Sequence, residues 1–274
     1  MHPANKPRKN ATWHVLGAQL GQLRRAAGMK QPELAEQLCI SVETLASIEQ
    51  GRRTLKYDLA VEIDQLLNTG GVLAAGVLRV PERERYPAFA QDFVEHEQQA
   101  LTLLWYEQKL VPGLLQTEAY AEAVFASLFP PITPEESEER LSARLDRQKL
   151  FDRKPWPPMM NFIIDQPVLD QPLGGRHVLR DQIRHLRRCA ELPFLAIQIM
   201  PTAREKHAGL NGPMVLLETP DHDQLAYLEG QRVSFLVDDP DEVSVLHQIY
   251  GMLRSQALTP EESMGLLDDL AGES

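Results

Sequence analysis

QPELAEQLCISVETLASIEQGRR, residues Gln31 to Arg53, decides how the first part of the chain is read. Gln31-Pro32-Glu33 makes a helix start: a proline costs little where its missing N–H would be unpaired anyway, and Glu33 meets the positive end of the helix dipole. Leu34, Ala35 and Leu38 share the apolar face that follows. After Cys39 and Ile40, Ser41 caps a further helix, with Thr44 at the position where a full capping box prefers Glu or Gln. Leu45 and Ile48 turn inward and leave Val42, Glu43, Thr44, Ala46, Ser47 and Gln50 facing out, until Gly51 ends the helix. Two short helices joined by a few residues form a helix-turn-helix, the unit whose second helix enters the major groove of DNA.

Trp13 to Ala27 precedes this pair as a helix on Leu16, Leu20 and Leu23, with Arg24 and Arg25 beside them and Gly28 at its end. Asp58 to Leu67 follows as a fourth helix. The reading is thus a multidomain chain: a flexible arm over 1–12, an all-α helix-turn-helix domain over 13–70, a linker over 71–87 marked by Gly70-Gly71, two prolines and the charged string Glu82 to Arg85, and a body over 88–274. In the body, helices are predicted over 88–110, over Leu114 to Leu128, from a Thr133 cap to about Phe151, over His177 to Glu191, and over Pro240 to Leu270 with a break near Pro260. About five short strands, starting near Met159, Phe194, Val215, Ala226 and Val233, complete a mixed α/β (α+β) domain.

Composition narrows the function. The chain is 43% hydrophobic and 24% charged over 274 residues, which excludes collagen-like and wholly disordered classes. No apolar run reaches the roughly 18 residues of a membrane span, and the amino terminus lacks the apolar stretch of a signal peptide, so a cytoplasmic location without a membrane partner is expected. The net charge is −11, yet residues 1–70 hold nine Lys or Arg against seven acids, while the rest holds nineteen against thirty-two. A basic end on an acidic body predicts a small, local nucleic-acid site. Two cysteines cannot build a disulfide framework or a thiolate metal site, and no HExxH, P-loop or GxGxxG pattern occurs. No metal, no cofactor and no catalytic residue are expected; Cys189 with His185 four residues earlier reads as packing.

The residues expected to serve double-stranded DNA divide by chemistry. Arg24, Arg25, Lys30, Arg52, Arg53 and Lys56, with Gln31 at the start of its helix, suit phosphates; Glu43 suits a cytosine amine, Thr44 and Ser47 offer hydroxyls, and Val42 offers methyls to thymine. One such module offers few contacts, so a homodimer on a palindromic site is implied. In the body, Trp105-Tyr106-Glu107 and Pro112 to Thr117, with Tyr120, read as a rigid turn between two helices that either forms a pocket or partner groove, with Glu107 and Gln116 as polar anchors, or only positions two core helices.

Residues 15–67 resemble the Xre/Cro-C1 type of helix-turn-helix, because Gln31, Leu34, Ala35, Leu38, Ser41, Ile48, Glu49 and Gly51 occur together in register. Residues 88–270 resemble the large carboxy-terminal domain, named only as of unknown function, of many actinobacterial regulators of that type. The stretches carrying this likeness include Tyr106-Glu107, Leu110 to Thr117, Arg140 to Gln148, Gly209 to Glu218 and Asp239-Pro240. The resemblance implies a cytoplasmic transcriptional regulator of developmental or secondary-metabolism type, paired with a small acidic partner protein in a toxin-antitoxin-like manner, with a small-molecule effector as a further partner. Departures from the pattern are Cys39 for the usual turn glycine, which predicts a less demanding turn geometry, Lys30 for a Ser or Thr cap, Pro32, Glu43 and Gln108. Two readings compete with the regulator: a protein-interaction module with weak DNA binding, and an enzyme or small-molecule sensor in the body.

Overall fold

A computed structural model describes residues 11–80, 91–230 and 233–272. Residues 1–10 of the expected arm and residues 81–87 of the expected linker lie outside the described residues. The chain divides into two compact units, residues 1–88 and 89–274.

The described residues of the first unit form five helices: α1 (Ala11–Ala26), α2 (Gln31–Gln37), α3 (Val42–Glu49), α4 (Tyr57–Leu67) and α5 (Val72–Val77). Its core is the apolar set read from the sequence, with Leu16, Leu20, Leu34, Leu45, Ile48 and Ile63 all buried. Each such side chain contributes roughly 1.5–3 kcal/mol on burial. Gly17 lets α1 and α3 touch at backbone level, since a Cβ there would collide with the Ile48 and Glu49 carbonyls. Ser41 caps α3 by accepting the Thr44 N–H at 3.1 Å.

Two features of this unit differ from expectation. The stretch assigned to the linker carries α5, whose orphan N–H groups are satisfied by a buried acid: Asp64 on α4 accepts from Leu73 N at 3.1 Å, from Ala74 N at 2.8 Å and from the Thr69 hydroxyl. The turn at Cys39 is not relaxed. Cys39 adopts φ +53°, with its N–H on the Glu36 carbonyl and the Ile40 N–H on the Ala35 carbonyl, a complete Schellman ending on a residue with a side chain.

The second unit runs α6 (Gln91–Gln99), β1 (Thr102–Glu107), α7 (Glu118–Ala126), α8 (Pro134–Gln148), β2 (Met159–Asp165), α9 (Pro167–Asp170), α10 (Arg176–Cys189), β3 (Leu195–Met200), β4 (Met214–Glu218), β5 (Gln224–Glu229), β6 (Ser234–Val237), α11 (Pro240–Gln256) and α12 (Pro260–Ala271). The strands form one sheet in the order β3-β2-β1-β4-β5-β6. β1, β2 and β3 are parallel, and β4, β5 and β6 continue antiparallel. Tyr106, Ile163, Met214 and Leu216 pack with Tyr250 and Leu253 of α11. Leu103 and Trp105 alternate with that face, and Phe93 of α6 lies edge-on to Trp105 at 5.8 Å and stacked on Tyr227 at 4.1 Å.

The helix expected over 88–110 is corrected by this sheet: its second half is β1, a sixth strand. Leu101, Leu104 and Trp105 recur at helical spacing, but β1 is a central strand buried on both faces, so its sequence shows a continuous apolar run with no polar alternation. The helix expected from Leu114 begins later. Gly113–Leu115 forms a 3₁₀ turn, and Thr117 caps α7 by accepting the Tyr120 N–H at 3.3 Å. The Thr133 and Thr259 caps stand as read, accepting from Glu136 N and Glu262 N at 3.2 Å each.

Candidate nucleic-acid interface

α3 carries its apolar residues inward through Leu45 and Ile48, which forces the intervening positions out. Val42 and Glu43 are exposed in its first turn, and Thr44 and Ser47 are half-buried one turn on. The chain leaving α3 turns back on itself at Gly51, whose φ is +65°, and the Ser47 carbonyl accepts from both Arg52 N at 2.9 Å and Arg53 N at 3.2 Å. This places two guanidinium groups beside α3. Arg53 Nη1 donates to Thr44 Oγ1 at 3.3 Å, and Arg52 Nε donates to Gln50 Oε1 at 2.9 Å. Lys56 is exposed at the start of α4, Arg25 is exposed at the end of α1, and Lys30 is exposed before α2, its N–H donating to Glu33 Oε2 at 2.8 Å.

Of the residues expected at DNA, Arg24 is corrected, and Gln31 shares its carboxylate partner. Arg24 turns inward: its Nε and Nη2 reach Glu49 Oε1 and Oε2 at 2.6 and 3.0 Å, and Nη1 reaches the Met29 carbonyl at 2.8 Å. Gln31 donates its side-chain N–H to Glu49 Oε2 at 2.8 Å. Both side chains of the ion pair are only 8% exposed, so Arg24 has no guanidinium face left for a phosphate. The arrangement ties α1, α2 and α3 to one carboxylate. Burial pushes Glu49 towards the neutral form, but the hydrogen bonds from Arg24 and Gln31 and the nearby Arg24 and Arg25 charges outweigh it and hold its pKa below the ordinary 4.5.

The turn expected to form a groove in the body is corrected as well. Trp105 and Tyr106 lie in β1 as core residues, and Pro112, Gln116 and Tyr120 are buried. Gln116 anchors the protein itself, donating to the Val111 carbonyl at 2.7 Å and accepting from Arg144 Nη1 at 2.6 Å. The Thr117 N–H is held by Gln182 of α10 at 2.7 Å, while the Tyr120 hydroxyl accepts the Val111 N–H at 3.4 Å. Glu107 is half-buried and accepts the Gln108 N–H at 3.0 Å; burial raises its pKa above the usual carboxylate range despite that bond. Tyr106 donates its hydroxyl to Asp165 Oδ1 and accepts from Gln108 Nε2, both at 3.0 Å.

Residues 15–76, covering nearly all of the five-helix unit, match the family described as a helix-turn-helix domain. Residues 90–269 match the family described as a domain of unknown function, DUF5753. The chain belongs to the DUF5753 family. No curated protein and no solved structure matched it.

Several residues that organise the DUF5753 body escaped the sequence reading. Gln182 holds both Thr117 N and the Leu115 carbonyl, and Arg147 meets the fully buried Glu97 at 2.6 and 2.8 Å across fifty positions. Gln182 had a legible signal, because it sits among Val178, Leu179, Ile183 and Leu186 on the apolar face of α10. Glu97 and Arg147 had none, being polar residues on polar helices. Among the described residues no group of His, Cys, Asp and Glu is arranged to hold a metal, and no helix is long and apolar enough to cross a membrane.

Proposed function

We propose that this chain is a sequence-specific transcriptional regulator of double-stranded DNA, working in the cytoplasm as a homodimer of the Xre/Cro-C1 type. The observation that carries the reading is the outward face of α3, which presents Val42, Glu43, Thr44 and Ser47 with Arg52 and Arg53 alongside. Short side chains near the amino end of a helix, flanked by guanidinium donors, suit base edges in the major groove beside the phosphates of the same strand. The Arg24–Glu49–Gln31 network supports it by fixing the helix on the other two. A single unit with five exposed or half-exposed basic groups (Arg25, Lys30, Arg52, Arg53 and Lys56) gains useful specificity by pairing across a two-fold site.

The DUF5753 body is read as a sensing unit, not an enzyme, which passes the state of a small acidic partner protein or an effector to the DNA-reading unit, in the manner of toxin-antitoxin regulators of actinobacteria. The test is charge reversal. R52E/R53E should weaken binding and lower the slope of log affinity against log salt by about 2, while K149E on the body leaves both unchanged. Equal loss with K149E, or an unchanged slope in R52E/R53E, would overturn the assignment. Tight capture of a protein partner with no sequence-dependent retention of DNA would favour the interaction module, for which exposed Glu43 is the motive.

A further inference from the structure

At the amino-terminal ends of β1, β2 and β3 the DUF5753 body has an open cavity of about 860 Å³. Its walls are Leu101, Met159, Trp156 and Phe194 with four proline rings, and the lining contains no acidic residue. Trp156 and Met159 are 79% and 59% exposed, unusual for side chains of that size. The volume falls in the roughly 300–1,000 Å³ range of small-molecule sites, and proline walls are already fixed before a ligand arrives.

One charged group breaks the apolar pattern. Arg153 is half-buried in the lining; its Nε donates to the Trp156 carbonyl and its Nη1 to the Gln98 carbonyl, both at 3.1 Å. No carboxylate of the described residues pairs with it, and burial pulls its pKa below the ordinary arginine value. Cations removed from water are normally paired, so this guanidinium, fixed on one edge by two carbonyls, keeps donors for an anion. Lys154 adds an exposed cation at the rim. The remainder of the body is strongly acidic, which repels anions everywhere except where such local donors outweigh it.

We infer that this cavity binds a small apolar monoanion, an aromatic or long-chain carboxylate whose head group pairs with Arg153 while its body lies against Trp156, Met159 and Phe194. Every lining residue lies in the second unit.

Isothermal titration of the full-length protein with dodecanoate and 2-naphthoate, each beside its neutral alcohol, tests the inference. The acids should bind at least tenfold more tightly than the alcohols. R153Q should abolish that preference, R153K should keep most of it, and W156A should weaken acid and alcohol together by about tenfold. Thermal melts of each variant separate lost binding from lost folding, and if R153Q does not fold, W156A and R153K carry the test. Equal affinity for acid and alcohol, a preference surviving in folded R153Q, or no saturable binding of either acid below about 1 mM would overturn the proposal.

Discussion

Replacing Cys39 by glycine should stabilise the helix-turn-helix unit. Four helices of this unit end in the same way, with one residue in the left-handed region and paired back-bonds: α1 on Gly28, α2 on Cys39, α3 on Gly51 and α4 on Asn68. Glycine has no Cβ to clash there and asparagine tolerates the region, whereas a cysteine pays about 1–2 kcal/mol. Its side chain is exposed, so truncation loses little packing. Glycine gives back roughly 0.5–1 kcal/mol through the greater freedom of the unfolded chain. The net expectation for Cys39→Gly is a gain of about 0.5–1 kcal/mol, or about 2–8 °C in the melting of a unit this size. Scanning calorimetry of the full-length protein should show the transition of the first unit moving up and that of the body staying still, with Asn68→Gly as a near-neutral control. A neutral or lowered transition in Cys39→Gly would mean instead that the cysteine side chain contributes more than the backbone strain costs.

Gly17→Ala should cost about 1–3 kcal/mol, read by urea unfolding, because the new methyl meets the Ile48 and Glu49 carbonyls; Gly251→Ala, with open space around it, should be stabilising by about 0.5–1 kcal/mol. Glu49→Gln leaves Arg24 buried without its charge partner and should cost about 3–5 kcal/mol in the first unit. Since the folded pKa of Glu49 lies below the unfolded value, the pair stabilises above about pH 4.5 and loses its contribution as pH falls through the folded value, so denaturation of the wild type, but not of Glu49→Gln, should show this acid dependence. Glu107 has the opposite sign: its folded pKa lies above the unfolded one, so stability is lost as pH rises from the unfolded value through the folded one. Glu107→Gln should therefore raise the unfolding midpoint of the body and flatten its decline as pH rises above about 4.5.

The helical domain was legible because its signals are local. Pro32 and Glu33 start α2, Ser41 caps α3, Gly28 and Gly51 end helices, and the leucines recur at helical period. What the sequence hid depends on contacts far along the chain. β1 reads as helix because a strand between two parallel or antiparallel neighbours loses its polar face, and only the pairing of Leu104 with both Asn161 and Leu216 defines it. α5 escaped because its start is capped from another helix, by Asp64, and not by its own first residues. In the candidate site, outward positions on α3 follow from period alone, but Arg24 could not be told from Arg25 without the position of Glu49. The turn from Trp105 to Thr117 stands out in the sequence by its residue types, but these do not tell a groove from a core bracket, since burial in a sheet turns aromatics and amides into core and brackets.

In the proposed regulator, α3 reads a base sequence as part of a two-fold pair. Binding of the purified protein to the DNA upstream of its own coding sequence, beside scrambled DNA of equal length, measured across salt concentrations with the stoichiometry determined, tests it most directly. Two chains should be retained per site, at least about a thousandfold tighter on the specific sequence at physiological salt, with contacts protected in successive major grooves about 34 Å apart. Equal affinity for both DNAs at every salt concentration, or one chain per site with no two-fold protection, would contradict it.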